Sequence, residues 1–186
     1  MLKKILALIP ILFFSGAAAA ELNDISLEHK KDNAAADATE IIGMRSALAK
    51  QFIRPGVTIN EETFKNVCGA VSRRVKEISE KEGLVIRHAS MKNRNPKNAP
   101  SPDELELIEK FRQNRKLPDV WDNTVRDGKK YLRYTRPIYV EGACLACHGK
   151  KDERPEFIVD KYPDDKAFDF SVGDLRGIIS VLIPLD

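Results

Sequence analysis

The apolar positions of the chain fall into a helical register first and a strand register later. Over residues 24–53, Ile41, Met44, Leu48 and Phe52 recur at spacings of three and four, the stripe of one buried helix face. The Ala34-Ala35-Ala36 run adds helix propensity, and Pro55-Gly56 ends the element. A second helix is predicted from Asn60, a good N-cap, with Glu61 and Glu62 well placed in its first turn. Along it Phe64, Val67, Cys68, Val71, Val75 and Ile78 share a face, which points Cys68 into the core, and Gly83 closes it. Residues 84–92 read as a strand, and Asn95-Pro96 with Ala99-Pro100 as a loop. Ser101-Pro102-Asp103-Glu104 opens a third helix: Ser-x-x-Glu is a capping box, and Pro102 takes the first helical position. Leu105, Ile108 and Phe111 give its buried face. A hairpin turning at Asp127-Gly128 follows, with a second arm over residues 131–140. The charged stretch 149–173 reads as a surface excursion. Ile178, Ile179, Val181, Leu182 and Ile183 form a final, near-continuous apolar strand. Helices first, then strands with one helix among them, predict an α+β fold with a largely antiparallel sheet.

The first twenty residues read as an address. Lys3 and Lys4 precede an apolar run over residues 5–14, small residues fill 15–20, and acidic Glu21 follows. We therefore expect a signal peptide over 1–20 and one exported domain over 21–186, periplasmic once processed. The apolar run is too short for a stable membrane span. The formal charge of +3 falls to +1 when Lys3 and Lys4 leave with that segment. Such a balance offers no concentrated basic face for nucleic acid.

Three cysteines in an exported chain leave one thiol outside any pair. Residues 144–148 read Cys-Leu-Ala-Cys-His. In C-x-x-C-H each thiol can add to one vinyl group of a porphyrin, and the adjoining imidazole is then held against the iron. One covalently attached haem c on Cys144 and Cys147, with His148 as iron ligand, is the expectation. A thioredoxin-like use would want a stronger alternation of strands and helices. A structural zinc site would want a second Cys/His pair, and only Cys68, His29 and His88 remain, widely scattered. On the residues alone, Cys68 reads equally as a buried structural thiol or as a second iron ligand. Met44 and Met91 read as core filler and His29 as surface. Lys92, Arg94, Tyr134 and Arg136 are candidate donors to the haem propionates.

Several segments together resemble one family, from about residue 35 onward. They are Asn66-Val67-Cys68, the run from Ile86-Arg87-His88 through Arg94-Asn95-Pro96 to Asn98-Ala99-Pro100, Arg136-Pro137-Ile138, Cys144 to Gly149, and residues 173–181. The chain is similar to the cyanobacterial-type haem proteins with a PAS-like fold and His/Cys axial ligation. The resemblance implies a PAS-like antiparallel sheet flanked by long N-terminal helices, with haem c held against the sheet. It also implies ligation by the motif histidine, His148, and by a helix cysteine, for which Cys68 is the matching position. His88 departs from the pattern and places a second possible ligand near the sheet.

Two functions follow as expectations. One is a periplasmic electron carrier with a low-potential haem and a redox partner of unknown identity. The other is a redox or diatomic-gas sensor signalling through a partner protein. An enzyme is not expected, because two protein ligands would close the iron and no acid/base constellation is visible.

Overall fold

The computed structural model describes residues 16–185. Residues 1–15 of the expected signal peptide lie outside them. Helix α1 (Gly16–Phe52) runs without a break through position 20. Its predicted stripe packs on the core at Ile41, Met44 and Leu48, and Ala34 and Ala38, outside that stripe, are as fully buried as Ile41, all 0% exposed. Side chains this small let the helix backbone approach the sheet closely, a role that helix propensity alone does not reveal.

Helix α2 is α-helical over Glu61–Phe64 and Ala70–Glu82, with a π turn, Lys65–Gly69, between. Its predicted boundaries hold. Asn60 caps the start, its Oδ1 accepting the Thr63 N–H at 2.9 Å, and Gly83 ends it at φ +66°. Helix α3 (Pro102–Gln113) likewise begins at Ser101, whose N–H donates to Glu104 at 2.9 Å.

Four strands, β1 (Val85–Ala89), β2 (Val120–Arg126), β3 (Lys129–Tyr139) and β4 (Leu175–Pro184), form one antiparallel sheet in the order β1-β4-β3-β2. The β2–β3 turn places both Asp127 and Gly128 at positive φ (50° and 74°), the geometry of a two-residue hairpin. Strand β1 is shorter than predicted because the Ser90 N–H leaves the ladder for the Asn98 carbonyl.

Strand β4 lies inside the sheet and is buried on both faces, which explains its unbroken apolar run. Ile179, Val181 and Ile183 meet α1, whereas Ile178 packs with Leu107, Ile108 and Phe111 of α3. The α3 face thus differs from expectation at one position. Leu105 is exposed, while Glu104 is buried and bonded to Arg87 at 2.6 Å. Among the described residues no helix is long and apolar enough to cross a membrane. The expected α+β architecture, with a long N-terminal helix and a largely antiparallel sheet, is what the chain adopts.

Candidate functional site

At one end of the sheet, α1, α2, the 90–100 loop and the segment after β3 enclose a half-open cavity of about 240 Å³. Cys68, Cys144, Cys147 and His148 all line it, so the 144–148 motif and a cysteine 76 positions earlier are brought together. Among the described residues, no three His, Cys, Asp or Glu gather closely enough to hold a metal ion by themselves. Donors that share a cavity without converging on a point suit something larger than an ion.

The motif is built by backbone geometry. Gly142–Cys144 forms a 3-10 turn that continues into helix α4 (Leu145–His148), which places Cys144 and Cys147 about one turn apart. The Gly149 N–H closes the turn on the Leu145 carbonyl at 2.8 Å. A Cβ at Gly149 would lie 2.6 Å from that oxygen, so only glycine ends α4 this tightly. Cys144 and Cys147 are free thiols, and burial pushes the Cys147 pKa up to about 11.

His148 is oriented by the excursion that the sequence leaves as loop. Its Nδ1 donates to the Ala167 carbonyl at 2.7 Å, which leaves Nε2 bare with its lone pair available. Arg94 Nη2 also stands 3.5 Å from Nδ1, but two donors cannot bond each other, and the shorter contact to a carbonyl decides the tautomer. Burial, with Arg176, Arg94 and Arg45 nearby, holds the imidazole well below its usual pKa. His148 is therefore neutral at physiological pH, the protonation state a metal ligand requires.

Asp165, a residue the sequence reading did not single out, organises this arrangement. Its fully buried carboxylate accepts from Arg94 Nε at 3.3 Å, Arg154 Nη1 at 3.1 Å and the Ala167 N–H at 2.8 Å. Arg94 also donates to the Cys147 carbonyl at 2.6 Å, tying the 90–100 loop to α4. The stretch 149–173 is thus more than a surface excursion. It contains helix α5 (Glu156–Lys161), and Ile158 and Ala167 are 0% exposed.

Cys68 does not point into the core as the helical wheel predicts. It sits in the π turn, where the extra residue rotates it off the buried stripe, and its exposed surface opens into the cavity. Although accessible from the cavity, the thiol is crowded by protein. Burial pushes its pKa up, and Arg45, Arg94 and Arg176 pull it back down.

The remaining candidates divide. His88 lines the cavity, where its Nε2 accepts from Arg45 Nη2 at 2.8 Å, and burial with Arg45 and Arg176 nearby keeps it neutral. That bond occupies the nitrogen a ligand would need. Of the expected propionate donors, only Arg94 lines the cavity. Lys92 bonds the Phe168 and Asp169 carbonyls, Tyr134 reaches Asp119, and Arg136 reaches Thr39 of α1. Met44 packs on the core and His29 is exposed as expected, whereas Met91 is 54% exposed and is no core filler.

With this geometry in hand, residues 23–184 match the family described as Tll0287-like. The chain belongs to the Tll0287-like family. A crystal structure described as that of the cyanobacterial heme-protein Tll0287 is 36% identical in sequence and superposes with a TM-score of 0.76. The match covers 85% of this chain and 96% of that one. No curated protein matches. For a Tll0287-like chain, the 90–100 loop gains a structural account. Asn95 Oδ1 caps a short 3-10 turn at the Lys97 N–H, the Asn98 carbonyl holds Ser90, and Arg94 is thereby aimed at Cys147.

Proposed function

We propose that this protein binds one haem c, covalently held by Cys144 and Cys147 and ligated by His148 and Cys68, and that it carries electrons in the periplasm. The observation that carries the reading is the set of donors on one cavity: a bare His148 Nε2, two thiols one turn apart, and the thiol of Cys68. The haem-protein match of similar length supports it. The residues also fit the group by charge. Arg45, Arg94 and Arg176 line the cavity and no Asp or Glu does, which suits a cofactor bearing two carboxylates. The sheet, antiparallel with α1 against one face and α3 against the other, supports a PAS-like reading. The periplasmic setting rests on the N-terminal sequence.

When bound, haem supplies one-electron exchange. The chain's own part is to hold and tune it. Ala167 fixes the His148 tautomer and raises its basicity as a ligand. Burial raises the Cys68 pKa, and Arg45, Arg94 and Arg176 offset part of that rise; bound to iron as thiolate, Cys68 would favour the oxidised state and a low potential. The apolar wall of Val67, Val71 and Ile138 keeps water from one side.

Expression in a host that matures c-type cytochromes tests the proposal. The expected protein is red and heavier by one porphyrin, and Cys68→Ala raises its reduction potential and changes its spectrum. A colourless protein of bare polypeptide mass refutes the cofactor, and a Cys68→Ala protein with wild-type potential and spectrum refutes the second ligand. The π turn favours a sensor as the second reading, since such turns recur at functional sites and an irregular backbone can release its side chain. Carbon monoxide binding to the reduced protein selects the sensor, and indifference to the gas selects the carrier.

A further inference from the structure

Among the described residues, two of the three cavity arginines form no ion pair, although Asp165 lies near enough to Arg176 to attract it weakly. Arg94 is 3.3 Å from the buried Asp165, which it shares with Arg154. Among the described residues, neither Arg45 nor Arg176 has a carboxylate within ion-pair distance. Arg45 bonds only the neutral His88, and Arg176 Nη1 bonds Ser90 Oγ at 2.7 Å and the Lys92 carbonyl at 3.0 Å. The Arg176 guanidinium also packs on the Phe170 ring, 5.3 Å from its centroid.

Enclosing a cation without an anion is costly, and placing two in one cavity adds their mutual repulsion. That strain is visible in Arg176, whose pKa burial, Arg45 and Arg94 together lower to about 10. Each guanidinium keeps unused N–H groups, and its planar fork matches a carboxylate. The cavity wall is otherwise free of acids. Two guanidiniums without an ion pair therefore remain on the wall, one on α1 and one at the start of β4.

We infer that Arg45 and Arg176 each receive one propionate of the haem, replacing the donors the sequence suggests. The assignment rests on the haem reading above and gives each unpaired guanidinium a partner. Two propionates offset Arg45 and Arg176, Arg94 shares Asp165 with Arg154, and the thiolate of Cys68 offsets the net charge of oxidised iron in its porphyrin. His88 acts as a positioning residue, because its Nε2 holds Arg45 over the cavity. With both propionates in place, none of the three arginines on the wall is left without an anionic partner.

The test uses the holoprotein. Resonance Raman spectra of Arg45→Met and Arg176→Met should each show one propionate bending band shifted, and the double variant both. Arg74→Met, which disturbs outer pairs with Glu40 and Glu77 and does not line the cavity, should shift neither. A fully loaded single variant whose propionate bands match wild type overturns the assignment for that arginine, even where the iron–sulfur band moves. A second measurement needs no variant. Carbodiimide with a small amine, read by fragment mass on the haem itself so that Glu141 of the same peptide does not count, should leave both propionates of native holoprotein unmodified and amidate both after unfolding. Two amides added in the native state overturn the proposal. Absence of covalent haem in the wild-type protein would instead sink the cofactor reading, so the two failures are distinguishable.

Discussion

Replacing Asp165 by Asn tests whether the stretch after α4 is part of the site. The carboxylate is fully buried and serves three donors: Arg94, Arg154 and the Ala167 N–H. Asn keeps the volume and one acceptor oxygen, so the Ala167 N–H can stay bonded. The loss is the charge, which strands Arg94 and Arg154, only 8% and 9% exposed. Removing one member of a buried pair costs about 3–5 kcal/mol, because the partner's charge stays buried without compensation. With the peptide bond retained, the lower half of that range is expected, about 3 kcal/mol. Urea unfolding monitored by Trp121 fluorescence measures it. The cost should also reach His148, since Ala167 is its acceptor, and amide exchange at Ala167 and Phe170 should quicken. A loss below about 1 kcal/mol with unchanged exchange would refute the view that Asp165 organises this region.

Other predictions follow from single contacts. Asp37, buried on α1 with one oxygen unpartnered, has its pKa raised to about 6 by burial and by Glu82 and Glu40. Its contribution to stability is full below pH 3.8 and is lost as the pH rises through about 6. Asp37→Asn should therefore equal wild type near pH 4 and exceed it by about 1–2 kcal/mol at pH 7, a discounted share of two pKa steps; urea unfolding across pH 4–8 checks this, and a pH-independent difference would contradict it. Gly177 sits at φ +154°, and a Cβ there would lie 2.3 Å from the Ala89 carbonyl. Gly177→Ala should cost about 3 kcal/mol in thermal or urea unfolding.

Local chemistry was legible in the sequence. Asn60, Gly83, Ser101 with Glu104, and Asp127-Gly128 act on their own neighbourhoods, and each marks the boundary expected of it. The C-x-x-C-H run likewise carries its spacing with it. What stayed hidden depends on the third dimension. A π turn leaves no trace in periodicity, so a wheel drawn through Cys68 turns it the wrong way. Ala34 and Ala38 look indifferent in sequence yet are fully buried in the core. Asp165 lies among charged residues, and only the folded chain shows that it faces Arg94, a residue 71 positions earlier. Tyr134 and Arg136 do lie on the α1 side of the sheet, but too far along β3 to meet the cavity.

The central position of β4 has a consequence for biosynthesis. β1 pairs with β4 and with no other strand, and β3 needs β4 on one flank. A growing polypeptide thus holds β1 in waiting until some 90 further residues have been made, a long-range closure of the kind that slows folding. The thiols at 144 and 147 emerge before that strand, while the sheet has yet to zip shut. Trimming back beyond Leu175 would not shave a tail; it would pull the keystone from the sheet.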